Sequence, residues 1–446
     1  MKKITAIIMT LLLLAAAMTA CQTSDQAEPA SADTSVQATQ AQTEAAEETT
    51  AAQDNTAKLT QGAEVVATAN VTSNGAIDAT DIFSDRDLRQ TADLSEAEYL
   101  TLTDNNTITI DKEGVYVLSG SAKNASVTVD AGDNDKVQLV LNGVSVTNDS
   151  TPAIYVKNAD KVFVTTVENT DNSLTVSGAF TADGDTNTDA VIFSKDDIVL
   201  NGLGALSINS SDNGISGKDD IKITGGTINI KCTSDAIKAH ESIAIADGSI
   251  TINTNKDGLH AENDEDNATG FIYICGGSLS ITAGSDGIQA TTICQIDGGS
   301  VTTSSSEGIE ATYVQVNGGT IDIDASDDGI NGSAKSTAYS VKVEINGGEL
   351  TIDMGQGDTD GIDSNGDLYI NGGTVNVNGQ SPFDYDGEGK LNGGAVYVNG
   401  SQVTELTNQF AGGGPGGMGG DMGGDMGGDM GGRGGMNGGM GGPGGF

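Results

Sequence analysis

Hydrophobic and polar residues alternate along this chain in short runs. Thr107-Ile108-Thr109-Ile110, Val115-Tyr116-Val117-Leu118, Val127-Thr128-Val129 and Val137-Gln138-Leu139-Val140-Leu141 share this rhythm, as do Ile154-Tyr155-Val156, Val162-Phe163-Val164 and Leu174-Thr175-Val176. Asn, Asp and Gly separate the runs. Period-two alternation bounded by such residues is the pattern of half-buried strands. Helical spacing is nearly absent, with one candidate helical turn near Leu94–Leu100.

From Gly225 to Gly394 the pattern repeats as a unit. A glycine pair or its equivalent ends at Gly226, Gly248, Gly277, Gly299, Gly319, Gly348, Gly373 and Gly394, with gaps of 22, 29, 22, 20, 29, 25 and 21 residues. Three residues before the second glycine stand Ile223, Ile245, Ile274, Ile296, Val316, Ile345, Ile370 and Leu391. Two after it stand Ile228, Ile250, Leu279, Val301, Ile321, Leu350, Val375 and Val396. Four after it stand Ile230, Ile252, Ile281, Thr303, Ile323, Ile352, Val377 and Val398. Inward positions repeated at one coil's length stack into aliphatic ladders, and glycine suits the tight corners between strands. The expected fold is all-β: a parallel β-helix, right-handed by the general crossover rule, with coils of 20 to 29 residues. The two 29-residue gaps mark insertions at about 262–270 and 331–340, which would project from one side of the coil.

The ends differ in composition. Lys2-Lys3 and the apolar run from Ile4 to Met18 give residues 1–20 the form of a secretory signal peptide, too short for a typical membrane span. Met18-Thr19-Ala20-Cys21 resembles a bacterial lipobox, in which Cys21 would be lipidated; the alternative is a plain cleaved signal. Residues 21–61 are rich in Ala, Thr, Gln, Glu and Ser and read as a disordered tether. Residues 62–410 would form the β-helix, with the segment up to about Thr103 capping its first coil. Residues 411–446 read as a flexible Gly/Met/Asp-rich tail. This arrangement places a monomeric body on the extracellular face of the bacterial membrane, held by its lipid.

Charge then narrows the partners. Acids outnumber bases 63 to 20, for a net charge of −43, which excludes nucleic acid and favours bound divalent cations. Besides Cys21, only Cys232, Cys275 and Cys294 occur, and an odd, unpaired set is not a disulfide framework. Cys232 and Cys294 fall on inward positions and Cys275 at a corner.

An acid precedes a Gly-aliphatic step on most coils, forming the column Asp189, Asp212, Asp235, Asp257, Asp286, Glu307, Asp328 and Asp360. With rungs about 4.8 Å apart, such carboxylates act either as turn hydrogen-bond acceptors or as a calcium strip. Asp183, Asp185, Asn187 and Asp189 offer oxygens at alternate positions, as at the start of a calcium loop, although the later Gly and Glu of an EF-hand are missing. A second column, Ser216, Lys238, His260, Gln289, Glu310, Asn331 and Asp363, faces outward and suits sugar hydroxyls or ordinary solvent. Tyr273, Tyr313 and Tyr369 fall on outward strand positions and would form a stacking platform for sugar rings. No residue is assigned a catalytic role. The three arginines, Arg86, Arg89 and Arg433, lie outside the regular coils, so a lyase base would have to be a lysine such as Lys195, Lys218 or Lys238.

Several phrases carry a family resemblance: Pro152-Ala153-Ile154-Tyr155-Val156, Ala190-Val191-Ile192-Phe193-Ser194-Lys195-Asp196-Asp197, Lys218-Asp219-Asp220-Ile221-Lys222-Ile223-Thr224-Gly225-Gly226 and Asp360-Gly361-Ile362-Asp363-Ser364-Asn365-Gly366. From about Phe83 to Val398 the chain resembles the carbohydrate-binding β-helix lipoproteins of cellulolytic clostridia. The resemblance implies a right-handed, pectate-lyase-like β-helix that binds calcium, cellulose and polygalacturonate without established lyase activity. The expected function is therefore calcium-assisted binding of plant cell-wall polysaccharide at the cell surface. The alternatives are a calcium-dependent polysaccharide lyase and a non-catalytic adhesin or envelope scaffold.

Overall fold

A computed structural model describes residues 58–70, 75–263, 265–355 and 359–408. The signal peptide, Cys21, most of the tether and the Gly/Met tail lie outside the described residues. No helix among those described is long and apolar enough to cross a membrane.

The described residues form a parallel β-helix of 34 strands whose coils line three faces, most with one strand on each and some, as at Ile288–Ile296, with one strand running through two. One coil shows the plan. Asn213–Gly217 lies in sheet 1, Ile221–Ile223 in sheet 2 and Thr227–Lys231 in sheet 3. Each pairs in parallel with its equivalent one coil on: Ile237–Ala239, Ser242–Ile245 and Ser249–Asn253. The strand pairing that breaks this rule is the last, where Ser401–Val403 folds back antiparallel on Ala395–Val398 and closes the C-terminal end of sheet 3.

The aliphatic columns meet as expected. Ile228, Ile250, Leu279, Val301, Ile321 and Leu350 are all buried and in register. Thr303, the polar member of its column, is equally buried, and its hydroxyl lacks a partner. Every second glycine of the repeat has positive φ, from +78° to +115°. At the preceding glycine the coils approach so closely that a Cβ on Gly276 would stand 2.1 Å from Ala246 O. The turn therefore requires glycine twice, for conformation and for clearance. Cys232 and Cys294 lie in the main core, and burial raises both thiol pKa values.

The N-terminal segment departs from expectation. Glu98–Thr101 is a strand paired with Gly114–Lys123, not a helical turn. The residues before it do not cap the first coil; they form a strap along the outer face of sheet 2. Residues 75–92 descend that face, with Ala76 N–H donating to Gln315 Oε1 at 2.8 Å and Ile77 N–H to Gln295 Oε1 at 2.7 Å. Gln90 bridges two coils, accepting from Gly202 N–H and donating to Thr224 O, both at 2.9 Å. Asp87 is fully buried with Lys161 Nζ 3.5 Å away, and the Arg86 guanidinium sits 4.5 Å from the Phe163 ring. Residues 58–70 run alongside, joined by Gln90 N–H to Val65 O at 2.7 Å and Ala67 N–H to Leu88 O at 2.8 Å.

Candidate cation and carbohydrate site

Sheet 1 carries the mixed column in the expected register. Ser216 is opposite Lys238, followed by His260, Gln289, Glu310, Asn331, Asp363 and Asp384. The acid column enters this sheet from the preceding turn. One carboxylate oxygen of several acids accepts the backbone N–H of the next acid up the stack: Asp235 from Asp257 at 3.4 Å, Asp257 from Asp286 at 3.0 Å, and Asp328 from Asp360 at 3.0 Å. The backbone bond is thus made between rungs rather than within one turn.

The other oxygens point into the mixed column, so the two columns interlock. Asp257 Oδ2 lies 2.8 Å from His260 Nδ1, and Asp235 Oδ2 lies 3.5 Å from it. Both contacts are ion pairs of the protonated ring. Burial alone would lower the histidine pKa, but Asp235 and Asp257 raise it to about 9. Lys238 Nζ adds contacts to Asp235 at 3.9 Å and Glu262 at 3.7 Å.

Over the next two rungs, Asp286, Glu307 and Glu310 bring their carboxylates within 4.8 Å of one another. Burial and the neighbouring Glu310 and Asp286 push Glu307 up to about 8, and burial with Asp257 and Glu310 pushes Asp286 up. Burial would also raise Glu310, but hydrogen bonds from Lys335, Ser333 and Gln289 hold it below the usual range. Gln289 Nε2 joins Asp286 Oδ2 at 2.7 Å to Glu310 Oε2 at 2.9 Å, and Asn331 Nδ2 donates to Glu307 Oε2 at 3.1 Å. Asn331 Oδ1 is buried without a hydrogen-bond partner. The donor set is made of oxygens, one of them unsatisfied, which fits a hard cation. Asp328 and Asp363 continue the strip. Burial and surrounding aspartates push them up to about 6 and about 7.

The insertions wall this site. Lys335 Nζ reaches Glu310 Oε2 at 2.6 Å and Ser333 Oγ reaches Glu310 Oε1 at 2.7 Å. The two insertions also touch, Asn267 Nδ2 donating to Thr337 Oγ1 at 2.7 Å. Their lengths marked them as projecting loops, but spacing alone did not single out Lys335 or Ser333.

Other expected site residues are placed elsewhere. Asp183 is committed to Lys157 Nζ at 2.6 Å and Tyr155 OH at 3.2 Å, while Asn187 donates to Asp189 at 3.0 Å. Asp183, Asp185 and Asp189 do not form one of the gathered carboxylate groups. Burial raises Asp212, with Asp189 the next cause. The tyrosines occupy sheet 2 and do not border the column on sheet 1. Tyr273 is 0% exposed, covered by Ile77 and Ala79 of the strap, with its OH donating to Asp297 at 2.8 Å. It is not a stacking surface. Tyr313 is half-buried, hydrogen-bonded to Glu344, with Lys342 Nζ 4.2 Å from its ring centre. Tyr369 OH donates towards Asp367 at 3.0 Å and Glu388 at 3.1 Å.

Similar proteins place this geometry in context. A carbohydrate-binding domain-containing protein of Acetivibrio thermocellus is 38% identical over 124 residues, covering 27% of this chain and 43% of the relative. The match thus spans less than half of that protein's own length. A solved structure of the polysaccharide lyase-like protein from C. thermocellum, a gadolinium derivative, has 31% sequence identity and a TM-score of 0.45, covering 50% of this chain and 96% of that one. The family model for carbohydrate-binding domain-containing proteins matches residues 104–359, more than half of the chain, and the protein belongs to that family.

Proposed function

We propose that this protein binds acidic plant cell-wall polysaccharide of the polygalacturonate type through calcium. It would act as a monomer on the outer face of the bacterial membrane, anchored by lipid at Cys21. The observation that carries this reading is the charge asymmetry of the sheet 1 strip. Around Asp235 and Asp257 the chain supplies its own cations, Lys238 and His260. Around Asp286, Glu307 and Glu310, Lys335 is the one basic side chain in ion-pair contact among the described residues. Asp286, Glu307, Glu310 and Asn331 would hold calcium, whose charge would be shared between these oxygens and the uronate carboxylates of the glycan. The insertions would confine the glycan beside the strip. Retention on immobilised polygalacturonate tests the reading: it is expected with calcium and should vanish with chelator. Undiminished retention in chelator would overturn it.

A second reading is a calcium-dependent polysaccharide lyase, in keeping with the lyase-like name of the C. thermocellum protein. The specific observation is that Lys238 and Lys335 stand beside the carboxylates, where a base would be needed. His260 is a poor base at neutral pH because its neighbours keep it protonated. Release of unsaturated uronate during prolonged incubation with calcium would establish this activity. A glycan array without any hit would instead favour the scaffold reading.

A further inference from the structure

On sheet 3 the chemistry reverses. Five consecutive strands, Ala205–Ser210, Thr227–Lys231, Ser249–Asn253, Ser278–Thr282 and Ser300–Ser305, present a continuous outer face. Its central column is Ser207, Asn229, Thr251, Ser280 and Thr302, in unbroken register. In the columns on either side, every position except Ala205 and Lys231 also carries a hydroxyl or carboxamide, and none carries an acid. In a chain of net charge −43 this is a field of donors and acceptors free of acids, with Lys231 its single charge, spaced about 4.8 Å along the axis and about 6.6 Å along the strands.

A groove of about 690 Å³ runs along one edge of this face, between the strap and the glycine corners. Thr227, Ser249 and Ser278 form its hydroxyl wall, and Asp247 is the acid in its lining. The large apolar side chains exposed among the described residues are Val65, Val66 and Leu203, and all three line this groove. A second groove of about 390 Å³, lined by Thr175, Asn209, Lys231 and Thr233 with no carboxylate, borders the opposite edge. Apolar side chains facing a row of hydroxyls and amides suit a ligand that has C–H faces and hydroxyl rims but no charge.

From this combination we propose a second glycan site, formed by the strap groove and the sheet 3 face, that binds a neutral polysaccharide without a cation. The proposal rests on the carbohydrate-binding reading but separates two ligands onto two faces. Sugar rings lie against Val65, Val66 and Leu203, and their hydroxyls bond to the Thr, Ser and Asn columns. Because these columns hold no carboxylate, chelator does not affect this site.

The test uses the full-length protein and microcrystalline cellulose, a neutral β-glucan, in chelator. Wild type is expected to be retained. Thr251→Asp combined with Ser280→Asp should lower retention about tenfold or more while calcium-dependent retention on polygalacturonate is unchanged. Asp322 and Asp324 occupy equivalent outward positions in Thr320–Ala325, so the fold accepts acids there. Val66→Ser, in the strap, should weaken cellulose retention in the same sense. Failure of wild type to bind in chelator, or full retention of the double variant, overturns the proposal. Loss of both glycans together would mean a single shared site and also overturns it. Loss of self-association instead of glycan retention would make the face an interface between copies. If Glu307→Gln leaves polygalacturonate retention intact while the double variant loses cellulose, the calcium reading falls and this one stands.

Discussion

Lys335 Nζ stands 2.6 Å from Glu310 Oε2, joining an insertion to the carboxylate strip one coil below it. The lysine occupies the charge balance that a cation would otherwise fill. Lys335→Gln is expected to tighten calcium binding about tenfold, the size of a one-unit change in carboxylate electrostatics. Isothermal titration at pH 8 checks this. Weaker binding in the variant would show that Lys335 positions Glu310 rather than competing with the ion.

Glu307 lies between Asp286 and Glu310 and receives the amide of Asn331. Glu307→Gln keeps its shape but removes one charge from the carboxylate cluster. Calcium affinity and polygalacturonate retention should each fall about tenfold or more, with an unchanged circular dichroism spectrum. Wild-type affinity in this variant would move the cation elsewhere on the strip.

The acid groups also set a pH dependence. Glu307, Asp328 and Asp363 have folded pKa values of about 8, about 6 and about 7, above their ordinary range, and His260 is raised to about 9. Each therefore binds protons more tightly in the folded state. Their stabilisation is complete below their unfolded values, near pH 4 for the acids and about 6.5 for histidine. It is lost as pH rises through the folded values. In chelator, the melting temperature should fall between pH 5 and pH 9. Calcium should restore it at pH 8 and have little effect at pH 5. A melting temperature that rises with pH in chelator would contradict this assignment.

The strap should stabilise the coils that it crosses. Tyr273→Ala empties a fully buried site beneath Ile77 and Ala79 and removes the hydrogen bond to Asp297. A cost of about 3–5 kcal/mol is expected for an aromatic truncated in a core. A lower urea midpoint and new proteolytic cleavage within residues 75–92 would report it. Unchanged cleavage would show that the strap is held by its polar contacts instead.

The ladders were legible because both periods are short. Alternation places Ile250 and Ile252 inward, and the coil repeat stacks them on Ile228 and Ile230. The same arithmetic aligned Lys238, His260, Gln289 and Glu310. It could not show that Asp257 bends towards His260, because spacing gives the column and not the side-chain direction. Nor could it distinguish outward from exposed. Tyr273 does point away from the coil axis, but residues far earlier in the chain lie on top of it. The oxygens near Asp183 failed to gather for a similar reason, since Tyr155 and Lys157 from the neighbouring coil claim that carboxylate.

A β-helix stabilised by nearest neighbours alone can fray one coil at a time. Here the strap's polar contacts with the coils run from Lys161 to Gln315 and tie those coils together lengthwise. Asp363 and Asp384, which extend the acidic strip, lie beyond that range. The strap's lengthwise ties therefore stop short of the last described coils. The coils beyond the strap, held by their neighbours alone, are therefore expected to open before the coils that it crosses.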